Sequence, residues 1–316
     1  MKNNQAKQEK GGNRWTVVIV ILVVLAMISF ISSFFIGLFI SASDADPQGN
    51  VAHIAVTGPI MSYSSNGLLS DEVASSTDIV RLIKKADKNP EVKAILLEIN
   101  SPGGTAVASS EIADAVLASN KTTVAWIREA GASGAYWIAS AADHIVANPM
   151  SITGSIGVIA SYIEFSGTLN RYNASYQRLV SGKLKDMGSP WKQLSDEEEE
   201  VLQTGLDLIR NEFVSAVAKN RKLSVEAVDE IADGRFYIGR QALELGLVDQ
   251  LGGKDDAVAW IEDKEDIIAE LAKYQRPTTL LDIIGGVFDD SSYHVGQGIG
   301  KALFDTRVSN GVEVRT

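Results

Sequence analysis

Residues 131–136 read Gly-Ala-Ser-Gly-Ala-Tyr, and further along the chain comes Ser181-Gly182-Lys183-Leu184-Lys185-Asp186. A serine hydroxyl is a weak nucleophile until a base takes its proton. No histidine is placed to be that base: His144 follows Ser133 too closely and reads as a core or surface residue, and His294 lies in an irregular tail. A lysine can do the work if burial keeps it neutral. Ser133 with Lys183 or Lys185 therefore points to serine hydrolysis by a Ser–Lys pair. Gly131-Ala132-Ser133-Gly134-Ala135 fails the G-x-S-x-G elbow of the α/β-hydrolases at its last position. The plainer role for Ser133 is a helix N-cap.

A second stretch, Ile99-Asn100-Ser101-Pro102-Gly103-Gly104, follows an apolar run and precedes a helical pattern. Paired glycines let backbone N–H groups approach a ligand with no Cβ in the way. Gly104, with Gly103 as an alternative, and Gly134 after the serine are candidates for an oxyanion hole. Read alone, the same stretch is also an ordinary strand-to-helix turn.

Those residues need elements to hold them. Val51–Val56 alternates as a strand does, and Ala94–Ile99 and Thr122–Ile127 read as strands buried on both faces. His144–Ala147 is a shorter strand. Helical patterns occupy Ser76–Ala86, Ser109–Ala118 and the Ala/Gly-rich Gly131–Ala142. Ser195-Asp196-Glu197-Glu198 is a capping box opening a helix to about Asn220. This alternation predicts an α/β fold. After Pro277 a helical apolar pattern, Leu280 to Phe288, gives way to Gly-rich and polar sequence.

Composition narrows the chemistry. The chain has 316 residues and no cysteine, which removes disulfides, thiol catalysis and cysteine metal sites. Its three histidines have no ligand spacing, so no metal or other cofactor is expected. The net charge is −11. Lys2, Lys7, Lys10 and Arg14 against Glu9 give +3 at the N-terminus, leaving −14 for the rest. An acidic body argues against nucleic acid as a partner.

No charged residue occurs between Trp15 and Ser43. About 20 apolar residues span a bilayer core, whereas a signal-peptide core has about 7–15. The run therefore predicts a retained transmembrane anchor at 15–43, although Ser41–Ala45 is faintly like a cleavage site. Basic residues precede it, so residues 1–14 are expected in the cytoplasm and the remainder beyond the cell membrane. A linker at 44–50, a catalytic domain at 51–275 and a tail at 276–316 complete the expected organisation.

Asn-Ser-Pro-Gly-Gly, Ala-Ser-Gly-Ala-Tyr-Trp, Ala147-Asn148-Pro149, Thr153-Gly-Ser-Ile-Gly-Val158 and Ser-Gly-x-x-Lys-Asp occur in that order. Gly234-Arg235-Phe236-Tyr237-x-Gly239 follows, with Ala242 and Gly246-Leu247-Val248-Asp249. Over roughly residues 50–270 the chain resembles the short-form signal peptide peptidase A family, the S49 serine peptidases of the ClpP/crotonase superfamily. The resemblance implies a repeated β-β-α spiral domain behind an N-terminal transmembrane helix. It makes Ser133 the nucleophile and Lys185, which precedes Asp186, the general base. Ser155 would orient the lysine, and the Gly104 and Gly134 N–H groups would form the oxyanion hole. Ala135 stands where family members commonly have glycine, and His144 where a basic residue is common. The implied assembly is a homo-oligomeric ring, an octamer, whose neighbouring chains complete each site. The implied substrates are released signal peptides and unfolded hydrophobic segments, with small or apolar side chains at the cut favoured by walls at 103–107 and 131–138. The rival readings are a membrane peptidase for a specific stomatin-like partner and a catalytically silent membrane scaffold. An acyl-CoA enzyme on the same superfamily fold is a more distant one.

Overall fold

The computed structural model describes residues 18–31, 47–63 and 73–276. Residues 18–31 form a helix, α1, whose side chains are exposed. Among the described residues no helix is long and apolar enough to cross a membrane. The rest of the expected span at 15–43, and the tail with its pattern at 280–288, lie outside the described residues.

Residues 47–276 form a compact unit of their own. It opens with β1 (Val51–Thr57), β2 (Ile60–Met61), β3 (Ala74–Ser75), α2 (Ser76–Lys88) and β4 (Ala94–Ser101). Then come α3 (Ala106–Leu117), β5 (Thr122–Ala132), α4 (Gly134–Ser140), β6 (His144–Ala147), β7 (Ile152–Gly154) and α5 (Ser166–Arg171). The last third supplies α6 (Asp196–Arg221), α7 (Val225–Ile231), β8 (Phe236–Ile238), α8 (Gly239–Glu244), β9 (Gln250–Leu251), α9 (Lys254–Glu265) and β10 (Leu271–Tyr274).

The main sheet runs β10-β1-β4-β5-β6-β9, and every pairing along that path is parallel. β7 extends β5 in parallel and takes β8 antiparallel. The fold is thus mixed α/β with a largely parallel sheet. Successive strand side chains point to opposite faces, and both faces of the central strands are covered. Ile95, Leu97 and Ile99 of β4 join the larger core beneath the helices, whereas Ala94 and Leu96 face a smaller cluster with Ala257 and Ile261 of α9. Such double burial is why these strands read as unbroken apolar runs.

Two elements differ from their sequence patterns. Helix α3 starts at Ala106, one turn before Ser109, because Thr105 already leaves the extended turn as its N-cap. The Gly131–Ala142 segment is not one helix. β5 continues through Ala132, where Ala130, Gly131 and Ala132 pair with Ile152, Thr153 and Gly154. Small residues fit a helix and a crowded parallel strand equally well, and the pairing with β7 decides between them.

Leu97 is fully buried in the centre of β4. Leu97→Ala is expected to lower the unfolding free energy by about 2–5 kcal/mol through lost burial and a residual cavity. Denaturant unfolding of the full chain checks this.

Candidate active site

Ser133 sits where β5 ends and α4 begins. Its backbone lies at φ 54°, ψ −127°, a positive-φ conformation that a residue with a Cβ adopts reluctantly. Pairing on both sides imposes it. The Ser133 N–H donates to the Gly154 carbonyl at 2.8 Å, and the Ser133 carbonyl accepts the Trp137 N–H at 3.1 Å. The side chain makes no capping hydrogen bond to α4. Ser133 thus stands at the N-cap position without its hydroxyl capping the helix, half-buried at the C-terminal end of β5.

The glycine turn after β4 meets this corner. A Cβ built on Gly103, at φ 100°, would lie 2.8 Å from the Gly134 nitrogen and 2.9 Å from Ser133 Cβ. Only glycine permits that approach. The Gly103 N–H is engaged by Ser101 Oγ at 3.1 Å. Gly104 differs. Ile60 donates to the Gly103 carbonyl at 2.9 Å and accepts from the Thr105 N–H at 2.9 Å, a parallel bridge that turns the Gly104 N–H away from Ile60. Gly104 is exposed, and a Cβ on Gly134 would lie 3.4 Å from its nitrogen. Ser133, Gly104 and Gly134 thus meet at one corner, with Gly104 exposed, Ser133 half-buried and Gly134 buried. Ser101, whose hydroxyl occupies the competing N–H, was not singled out from sequence. A serine two residues before a glycine in a turn is the signal that marks it.

Ser155, also at positive φ (51°), follows β7. Its N–H donates to the Arg235 carbonyl at 3.0 Å and its hydroxyl to the Gly234 carbonyl at 3.1 Å. This ties it to the start of β8 and leaves its oxygen lone pairs available to a donor. The strand pairing of β7 with β5 brings Ser155 to the same end of the sheet as Ser133.

Lys185 belongs to a different kind of structure. Residues 157–195 run mostly exposed, with Lys185 in a succession of turns, and its side chain has no hydrogen bond or ion pair among the described residues. Among the described residues no hydrogen bond joins Lys185 to Ser133 or Ser155. The turns are fastened by charge. Arg178 clasps Asp186 in a bidentate pair at 2.6 and 2.7 Å and donates to the Lys183 carbonyl at 2.7 Å. Lys192 pairs with Glu198 at 2.5 Å and lies 3.9 Å from Asp186. The Lys183 ammonium is bound to the Glu197 carboxylate, which ties that lysine to the start of α6. Arg178 and Lys192 were not recognised from sequence, because no local pattern links residues that meet only when the arm folds.

The remaining histidines are structural. His144 stacks on Trp260 with centroids 4.3 Å apart and shares a hydrogen bond with Gln250. His53 is bonded to Glu98 at 2.8 Å, and burial lowers its pKa. His294 lies outside the described residues. Among the described residues there is no group of three or more acidic or histidine side chains placed to hold a metal. Of the stretches expected to wall a pocket, Ala135, Tyr136 and Ile138 are instead buried in the core, while Val107 is exposed.

A sequence profile of peptidase family S49 matches residues 115–267. A putative protease of Methanocaldococcus jannaschii is 34% identical over 78% of this chain and 79% of its own length. A putative signal peptide peptidase of Enterococcus faecium is 36% identical over 72% of this chain and 68% of its own. Protease 4 of Salmonella typhi is 35% identical over 76% of this chain, which spans 39% of that longer protein.

The charged clasp around Lys185 gives a pH prediction. The Arg178 hydrogen bonds hold the Asp186 carboxyl below its ordinary value, and the Lys192 hydrogen bond does the same for Glu198. A depressed folded-state pKa contributes stability that is full above the unfolded value and lost as pH falls through the folded one. The clasp is therefore expected to be intact above the ordinary carboxylate range of about 4 and to open only as pH falls further, through the lowered values of Asp186 and Glu198. The protection of residues 178–192 against hydrogen exchange, taken relative to the intrinsic rate at each pH, should fall over that acidic interval, and Asp186→Asn should show low protection at neutral pH.

Proposed function

Since the chain belongs to peptidase family S49 and is a serine peptidase, we propose that Ser133 is its nucleophile and Lys185 its general base. The observation that carries this reading is the Ser133 corner: a strained serine with an uncapped hydroxyl beside the free-facing Gly104 N–H and the Gly134 N–H. Ser133 Oγ bonds to the scissile carbonyl carbon as its proton passes to neutral Lys185 Nζ. The carbonyl electron pair moves onto oxygen, where the Gly104 and Gly134 N–H groups receive the charge. The C–N bond then breaks, and Lys185 returns the proton to the leaving amine. Water then adds to the acyl carbon as the same lysine takes its proton, the bond to Ser133 Oγ breaks, and the lysine returns that proton to Ser133 Oγ. Ser155 Oγ accepts a hydrogen bond from the lysine and aims it. No cofactor takes part.

A working base must be desolvated, and Lys185 is exposed in the isolated chain. The arm that carries it also exposes Ile159 (89%), Ile163 (71%), Tyr172 (77%) and Leu179 (97%). Large apolar side chains so exposed on one segment mark a surface that another chain covers. We therefore read the active form as a closed ring of copies, an octamer on the ClpP-like plan, in which a neighbour buries the arm and completes the pair. The apolar run at 15–43 anchors that ring to the cell membrane, with residues 1–14 cytoplasmic and the peptidase outside. An enclosed ring admits extended chains and excludes folded ones, and tethering concentrates it near membrane peptides. The substrates that follow are released signal peptides and other unfolded hydrophobic segments, in keeping with the name of the Enterococcus relative.

Ser133→Ala and Lys185→Ala are each expected to abolish nearly all peptide turnover with the fold intact, and the double variant to be little worse, because groups acting as a unit are not additive. Full activity in Lys185→Ala contradicts the assignment. Leu179→Lys, placed on the exposed arm, should dissociate the assembly in light scattering and remove turnover together. A dissociated chain that keeps full specific activity contradicts the shared site.

A further inference from the structure

Ser109, one turn into α3, is fully buried and has no part in the chemistry just described. Its backbone N–H and its hydroxyl both donate to the Thr105 carbonyl, at 3.1 and 2.9 Å. Thr105 directly follows Gly104. On its other side the hydroxyl is pressed against Gly134. A Cβ built on Gly134 would lie 2.1 Å from Ser109 Oγ and 3.0 Å from Ser109 Cβ. One buried side chain therefore touches Gly134 and is bonded beside Gly104. A helical serine that bonds back to the carbonyl four residues earlier is common. Here the same oxygen also sets how closely α4 approaches the glycine turn.

We propose that Ser109 is a positioning residue for oxyanion stabilisation: wedged between Thr105 and Gly134, it fixes the spacing of the Gly104 and Gly134 N–H groups. The inference rests on the reading of Ser133 as nucleophile with those two donors. Ser109 does not touch the substrate. It acts through the donors, whose value depends on lying about 2.7–3.1 Å from the oxygen as charge develops. It also accounts for glycine at position 134. Gly134 has no positive φ that would demand it, and the space a Cβ needs is already filled by Ser109 Oγ.

The test is an exchange of volume between the two positions in the full chain, with kcat and KM on a peptide substrate, affinity for a peptide aldehyde, and the thermal midpoint measured for each variant. The aldehyde adds to the serine and places an oxygen where the oxyanion forms, so its affinity reports the donors directly. Gly134→Ala should lower kcat by about 100-fold or more with KM little changed, the loss typical of a displaced donor. Adding Ser109→Gly removes the obstructing atoms, and the next neighbour of the new methyl is the Gly104 nitrogen at 3.4 Å. The double variant should regain at least about tenfold of kcat and of aldehyde affinity, a coupling expected only for side chains in contact. Ser109→Ala alone, which keeps the helix and loses the wedge, should lower kcat and aldehyde affinity by a common factor of about 3–10 at constant KM. If Ser109→Ala shifts only the thermal midpoint, or Ser109→Gly fails to rescue Gly134→Ala in a folded double variant, the inference is overturned. Ser133→Ala measured alongside separates the two layers. Activity surviving in it overturns the underlying assignment, whereas a dead Ser133→Ala with an indifferent Ser109 series overturns the role of Ser109 alone.

Discussion

Ser133 is held at φ 54°, ψ −127° by hydrogen bonds that leave its backbone no alternative: its N–H to Gly154, its carbonyl from Trp137. Such conformations cost on the order of 1–3 kcal/mol and persist where the surroundings over-determine them. The surroundings here are the parallel pairing of β5 with β4 on one side and β7 on the other. β4 ends in a register shift between Ile99 and Ser101, which lets the glycine turn swing against the serine. β7 ends in Ser155. The same strand order that buries Ile95, Leu97 and Ile99 thus also delivers Ser101, Gly103, Gly104, Ser133 and Ser155 to one end of the sheet.

The two halves of the proposed catalytic pair are built by different physics. Ser133 rests on the most deeply buried part of the molecule, where α4 sends Tyr136 and Ile138 into the core and the Tyr136 hydroxyl reaches the Leu247 carbonyl at 2.8 Å. Lys185 rides on an arm with little apolar burial, kept in shape by Arg178, Asp186, Lys192 and Glu198. Glu198 and Asp186 are largely covered in this network, and ion pairs joined in a network hold geometry that an isolated exposed pair does not. On the proposed reading, a nucleophile fixed by the sheet and a base carried on a charge-fastened arm meet in a site that a neighbouring copy completes.

Much of this was legible in the chain. The strands at Ala94–Ile99 and Thr122–Ile127 and the capping box at Ser195 stand where their patterns place them, because double-sided burial and a paired cap leave strong local signatures. The course of residues 131–142 was not. Gly131 and Ala132 carry no propensity strong enough to choose, and their partner strand is only three residues long. The strand pairing of Phe236–Ile238, and the placement of β10 beside β1, depend on contacts far apart in sequence. At the site, Ser133 and the glycine turn were readable from residue type and spacing, whereas the support given by Ser101, Ser109 and Arg178 exists only once the chain is folded. Among the described residues Lys185 also makes no hydrogen bond to Ser133, a relation that spacing alone does not reveal.

The central claim is that Ser133 is an activated nucleophile, and covalent capture tests it most directly. A serine-reactive phosphonate should form one adduct per active chain, mapped by mass spectrometry to the peptide containing Ser133, with turnover lost in step with labelling. An adduct on another serine, such as Ser155, or full labelling of Ser133 with turnover unchanged, would contradict the account.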